Sequence, residues 1–106
     1  MKLIYLTILY DFYGDLLTDK QRELFEAYYH DNLSLREMGD IYGISPQAAR
    51  DHLLRAEKLL ENYEEKLKLY KNEERRKKII DEILKELEEI KGEQGIKLRQ
   101  KVEGLL

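Results

Sequence analysis

Apolar residues recur along this chain at helical spacing, and nowhere do they alternate with polar ones as a half-buried strand would require. Leu3, Ile4, Tyr5, Leu6, Ile8, Leu9, Tyr10 and Phe12 make a first helix that is apolar nearly all round. Such a helix needs cover on more than one side, and a subunit contact is the natural second cover. Leu24, Phe25, Tyr28 and Tyr29 space a second helix, and His30-Asp31-Asn32-Leu33 breaks the period as a turn. Thr18, with Gln21 three residues on, marks its start as a capping box. Ser34 and Glu37 repeat that box and open a short helix to about Tyr42, which Gly43 closes. Ser45 then caps a further helix with Pro46 at its first position, where the missing N–H costs nothing.

From there Ala49, Leu53, Ala56, Leu60, Tyr63, Leu67 and Tyr70 follow at steps of 4, 3, 4, 3, 4 and 3, a heptad seam with no stop signal. The seam fits an antiparallel partner helix within the chain or a second subunit, and the residues do not choose between them. Asn72 is placed to cap another helix from Glu73 to Lys91, with Ile79, Ile80, Ile83, Leu84, Leu87 and Ile90 as its stripe. Gly92 then suits the position just past its end. Ile96, Leu98, Val102, Leu105 and Leu106 form a weaker helical tail. The predicted class is all-α. The architecture is a helical bundle containing a helix-turn-helix, whose C-terminal helix packs on the long heptad-patterned helix or on a second subunit. The expected organisation is a helix-turn-helix domain over 1–71, extended by an amphipathic helical segment of the same domain over 72–106.

Composition narrows the function. Charged residues are 39% of the 106, against roughly 25% in an average soluble protein, and a length near 100 suits one domain. The absence of Cys excludes a disulfide scaffold and thiolate chemistry. One Pro and six Gly argue against a turn-dense β-sandwich. A net charge of −3 argues against a general binder of polyanions, but that charge falls wholly within residues 1–33. Residues 34–58 carry four cations and four carboxylates and are neutral. The apolar opening resembles a signal peptide only until Asp11 and Asp15, and no cleavage site follows. It is too short and too soon charged to span a bilayer, so a cytoplasmic protein without membrane insertion is expected.

Catalysis finds no support in the motifs. His30 and His52 stand 22 residues apart, and neither a phosphate-binding glycine loop nor a His-Glu-x-x-His pattern occurs. Asp11/Asp15 and Glu61/Glu64/Glu65 read as solvated helix surface. No enzyme activity, cofactor or metal is therefore expected. The tyrosines of the first two helices could stack bases. They read better as half-buried core residues that keep a polar tip at a wet edge.

The stretch from Ser34 to Ala56 carries the specific signal. Met38, Ile41 and Tyr42 give one helix its apolar face, and Gly39 stands where the two helices come closest. Gly43 occupies a turn that favours a left-handed backbone, Ile44 plugs that turn, and Ala49 and Leu53 anchor the second helix. In such a motif the N-terminal residues of the second helix reach base edges in the major groove. Here those are Ser45, Gln47, Ala48, Arg50 and Asp51, with Gln47 suited to adenine and Arg50 to guanine. Arg36, Arg55 and Lys58 are the candidate phosphate contacts. Arg75, Arg76, Lys77 and Lys78 form a separate basic run, a candidate secondary nucleic-acid surface. The same cations could instead pair along their own helix with Glu73, Glu74, Asp81 and Glu82.

Tyr10-Asp11-Phe12-Tyr13, Leu16-Leu17-Thr18-x-Lys20-Gln21, Tyr28-Tyr29 and Asp31-x-x-Ser34-Leu35-x-Glu37 resemble the bacterial YlxM family. So do Ser45-x-Gln47-Ala48-Ala49, Asp51 and the stretch from Lys58 to Tyr70. The resemblance covers about residues 5–70. It implies a helix-turn-helix similar to region 4 of sigma factors, and with it DNA binding in transcription regulation or a role beside the signal recognition particle. The chain departs from the family pattern at Pro46, where relatives often carry a basic residue, and at Ala49, where they often carry a β-branched one. The motif points to duplex DNA, and the first helix, apolar nearly all round, points to a homodimer that would present two recognition helices by symmetry. The alternative is a non-enzymatic adaptor that engages the RNA or GTPase of the signal recognition particle. A blander reading is a coiled-coil interaction module whose motif has lost nucleic-acid contact.

Overall fold

Residues 2–106 are described by a computed structural model. The element order is α1 (Lys2–Tyr13), a 3-10 turn (Gly14–Leu16), α2 (Asp19–Tyr29), α3 (Leu35–Tyr42), α4 (Pro46–Leu67), α5 (Leu69–Leu87) and α6 (Glu93–Glu103). The protein is all-α, as the spacing predicts. Both capping boxes form: Thr18 accepts the amide of Gln21 at 3.1 Å and Ser34 that of Glu37 at 3.0 Å. In each, the residue three positions on accepts the cap residue's own amide in return.

The chain divides into two compact units, Met1–Tyr70 and Lys71–Leu106. In the first, α4 runs beneath two clusters of buried side chains. Its N-terminal half brings Ala49 and Leu53 against Leu24 and Ala27 of α2 and Met38 of α3. Its C-terminal half brings Ala56 and Leu60 against Leu6, Leu9 and Tyr13 of α1, with Leu17 and Phe25. Tyr29 packs against both clusters.

Within the first unit, the seam residues Ala49, Leu53, Ala56 and Leu60 are packed by α1, α2 and α3 together. Three short helices cover one long one, so regular spacing along α4 meets a different partner at each level. The seam also ends early. Lys68 adopts a left-handed conformation at φ 54° and closes α4, leaving Leu67 exposed. The next helix begins at Leu69, so Asn72 lies inside α5 and does not cap it. Gly92 likewise does not end a helix: at φ 90° it stands at the start of α6. In the second unit Ile80 and Leu87 of α5 are buried, and Arg76 donates to the carbonyl of Leu105 at 2.7 Å.

The first helix is covered unevenly, with Tyr5 and Phe12 each meeting the Tyr70 ring at a centroid distance of 6.0 Å. Leu6, Leu9 and Tyr13 are buried, while Leu3, Ile4, Tyr5 and Phe12 keep exposed surface. No helix among the described residues is long and apolar enough to cross a membrane.

Candidate nucleic-acid interface

The turn between α3 and α4 sets the candidate interface, and two glycines set the turn. Gly43 closes α3 in the left-handed region at φ 67°, which side chains with a Cβ rarely adopt. A Cβ added to Gly39 would come within 2.6 Å of the Ile44 carbonyl oxygen. The crowding at Gly39 therefore comes from the backbone of the turn, where the sequence had suggested the crossing helix. Met38 is fully buried and Tyr42 and Ile44 are half-buried, but Ile41 is 62% exposed and does not belong to the apolar face of α3. The Ser34 amide and hydroxyl, bonded to Glu37, hold that carboxyl below the usual carboxylate range.

Ser45 caps α4, accepting the Ala48 amide at 3.0 Å and keeping its own O–H free to donate. Beyond it Gln47, Arg50 and Asp51 are exposed, while Ala48 is half-buried and offers little more than its methyl. Gln47 leans on Asp51 across one turn at 3.5 Å, a contact at the outer limit of a hydrogen bond and easily exchanged. Leu54 stands two turns beyond Gln47 on the same face and is 46% exposed. Leu54 falls outside the heptad seam, so the seam spacing does not account for it. Its off-seam position between Leu53 and Arg55 is the signal that could have found it.

Arg50 and Arg55 are five residues apart, which on an α-helix places them about 140° from each other around the axis. They flank the exposed face. Arg50 borders a shallow groove with Tyr28, Leu35 and Leu54, and Arg55 and Lys58 border another with Gln21, Leu59 and Asn62. Arg36 is exposed in the first turn of α3.

The charge balance of this surface differs from that of the sequence. Glu57 is buried, accepts the Tyr29 phenol at 3.0 Å and pairs with Lys2 at 3.7 Å, so it leaves the exposed surface. Arg36, Arg50, Arg55 and Lys58 then face solvent with only Glu37, Asp40 and Asp51. A segment neutral by composition is thereby cationic by one charge at its surface.

Glu64, read from the sequence as solvated, is buried and bonded to Tyr13. The tyrosines of the first two helices belong largely to the packing. Tyr10 stacks on Phe25 with ring centroids 4.5 Å apart and donates to Glu26 at 2.7 Å, and the Tyr29 ring lies 4.5 Å from the same Phe25. Within the basic run, Arg76 pairs with Glu73 at 3.2 Å, while Arg75, Lys77 and Lys78 are exposed in the second unit.

A model of the UPF0122 family, described as "Putative helix-turn-helix protein, YlxM / p13 like", matches residues 1–101. A UPF0122 protein of Caldanaerobacter subterraneus subsp. tengcongensis is 51% identical over 88 residues, which are 83% of this chain and 69% of that protein. One from Lactococcus lactis subsp. cremoris is 47% identical over 77 residues, 73% of this chain and 69% of that protein. One from Shouchella clausii is 44% identical over 84 residues, 79% and 77% of the two chains. The family match runs well past Tyr70, so the likeness takes in most of the C-terminal helices that motif reading alone left out. This chain belongs to the UPF0122 family, the YlxM/p13-like group.

Proposed function

We propose that this protein binds duplex DNA through the N-terminal turns of α4 and acts as a transcription regulator. Ser45, Gln47, Ala48, Arg50 and Asp51 face base edges, and Arg36, Arg55 and Lys58 take phosphates. One observation carries this reading: the face of α4 opposite its core anchors is bare at its start and is flanked by cations. Glu57, which lines the groove beside Arg50, is buried and engaged by Lys2 and Tyr29, so it offsets these cations less than an exposed carboxylate would. Leu54 adds an apolar contact of the kind that meets a thymine methyl. Titrating labelled duplexes at two salt concentrations tests the proposal. Affinity should fall steeply with salt, and binding that is absent or indifferent to salt would overturn it.

A second reading, as an adaptor in the signal recognition particle pathway, draws on the outward apolar residues Ile4, Tyr5 and Phe12 of α1. Retention of the particle's RNA or GTPase by the Arg50→Ala variant favours that reading, whereas loss of retention in the variant counts against it.

A further inference from the structure

Helix α5 has two apolar faces. Ile80 and Leu87 are buried, whereas Ile79 and Ile83, one turn apart, are 48% and 38% exposed. The charges of the same helix are segregated along its length. From Lys71 to Lys78 there are five cations and two carboxylates, and from Ile79 to Leu87 three carboxylates and one cation. Arg75, Ile79, Glu82, Ile83 and Glu86 fall at i, i+4, i+7, i+8 and i+11, which is one face. Arg75, Lys78, Glu82 and Glu86 form no ion pair among the described residues.

We propose that α5 pairs with α5 of a second copy of this chain, antiparallel about a two-fold axis close to residue 81. A two-fold interface must be complementary to itself. Antiparallel pairing about that point lays Ile79 on the partner's Ile83 and Ile83 on the partner's Ile79. It also sets the basic half of each helix over the acidic half of the other, Arg75 towards Glu86 and Lys78 towards Glu82. Parallel pairing would set the two basic halves side by side, so the charge pattern selects direction as well as partner. The contact does not depend on whether α4 binds DNA.

Sedimentation equilibrium of the full chain tests the pairing. The expected species has twice the 12.8 kDa mass of one chain. Ile83→Glu, at an exposed position, places a carboxylate in the seam and yields the monomer with unchanged helical circular dichroism. Arg75→Glu weakens the dimer about tenfold or more, since it opposes Glu86 with a like charge. Arg75→Glu combined with Glu86→Arg in the same chain restores it, because both reversed pairs attract again. A monomer at every concentration overturns the proposal, as does a dimer indifferent to the charge reversals. A double variant no tighter than Arg75→Glu alone also overturns it.

Discussion

The phenol of Tyr13 donates to Glu64 at 2.6 Å and accepts the amide of Leu69 at 3.0 Å, so a residue of α1 closes the junction between α4 and α5. A helix leaves its first amides without partners inside itself. At the start of α5 these are taken from outside: the Leu69 amide by Tyr13 and the Tyr70 amide by Glu64 at 3.1 Å. The chain can turn at Lys68 in a left-handed conformation because both ends of the break are satisfied.

Tyr13→Phe keeps the ring in the core and removes this hydroxyl. It leaves the Leu69 amide unpaired and takes one donor from the buried Glu64 carboxylate. The expected cost is about 1–3 kcal/mol. It should appear as a lower urea midpoint with an unchanged slope, together with faster amide exchange at Leu69 and Tyr70. An unchanged midpoint would show that the junction is held by packing alone.

Three phenols couple stability to alkaline pH. Burial raises Tyr10, Tyr13 and Tyr29 above the ordinary 10.0, and the carboxylates of Glu26, Glu64 and Glu57 that accept their hydrogen bonds raise them further. The folded protein therefore holds these protons more tightly than the unfolded chain. Their contribution is fully present below pH 10.0 and is lost as pH rises above it. Chemical unfolding across the alkaline range should show stability flat up to that point and falling beyond it. Tyr10→Phe should make the fall shallower, and an identical slope in the variant would contradict the assignment.

The capping boxes and the turn were legible in the sequence, whereas the equally local signals at Asn72 and Gly92 misled and the non-local contacts left no mark. Thr18 with Gln21, and Ser34 with Glu37, mark their helix starts because each cap closes within four residues. Gly43 and Pro46 mark the turn for the same reason. The stop at Lys68 has no such mark: no Gly or Pro stands there, and Tyr70 continues the seam in phase. Its cause is Tyr13, 51 residues from Glu64 along the chain. Glu57 and Glu64 were hidden likewise, since each sits within a charged helix and is drawn inward by a tyrosine from another helix. In the candidate interface, Gln47, Arg50 and Asp51 stand exposed at the start of α4. The withdrawal of Glu57 that changes the charge of that surface needs the fold.

The turn glycines should differ in how they fail. Gly39→Ala drives a methyl group to within 2.6 Å of the Ile44 carbonyl oxygen, a backbone atom, so the turn itself must shift. A loss of about 1–3 kcal/mol is expected, with DNA affinity falling in proportion as α4 is re-aimed. Gly43→Ala meets open space but must hold φ near 67°. Its cost of about 1–2 kcal/mol should fall on stability and leave affinity of the folded protein nearly unchanged. Thermal unfolding and duplex titration on both variants separate the two effects.

Lys58 and Arg50 should fail differently on DNA. If Arg36, Arg55 and Lys58 neutralise three phosphates, log K falls against log salt with a slope of about −2.7 on B-form duplex. Lys58→Ala removes one phosphate contact, so the slope should flatten by about 0.9 and affinity should drop equally on every sequence. Arg50→Ala removes a base contact, so the loss of about 1–3 kcal/mol should fall on the preferred duplex and largely spare a scrambled one. The comparison needs only a selected sequence, its scramble and two salt series. An Arg50→Ala loss of equal size on both duplexes would move Arg50 to the phosphates. Sequence reading would then rest on Gln47, whose amide must first leave Asp51.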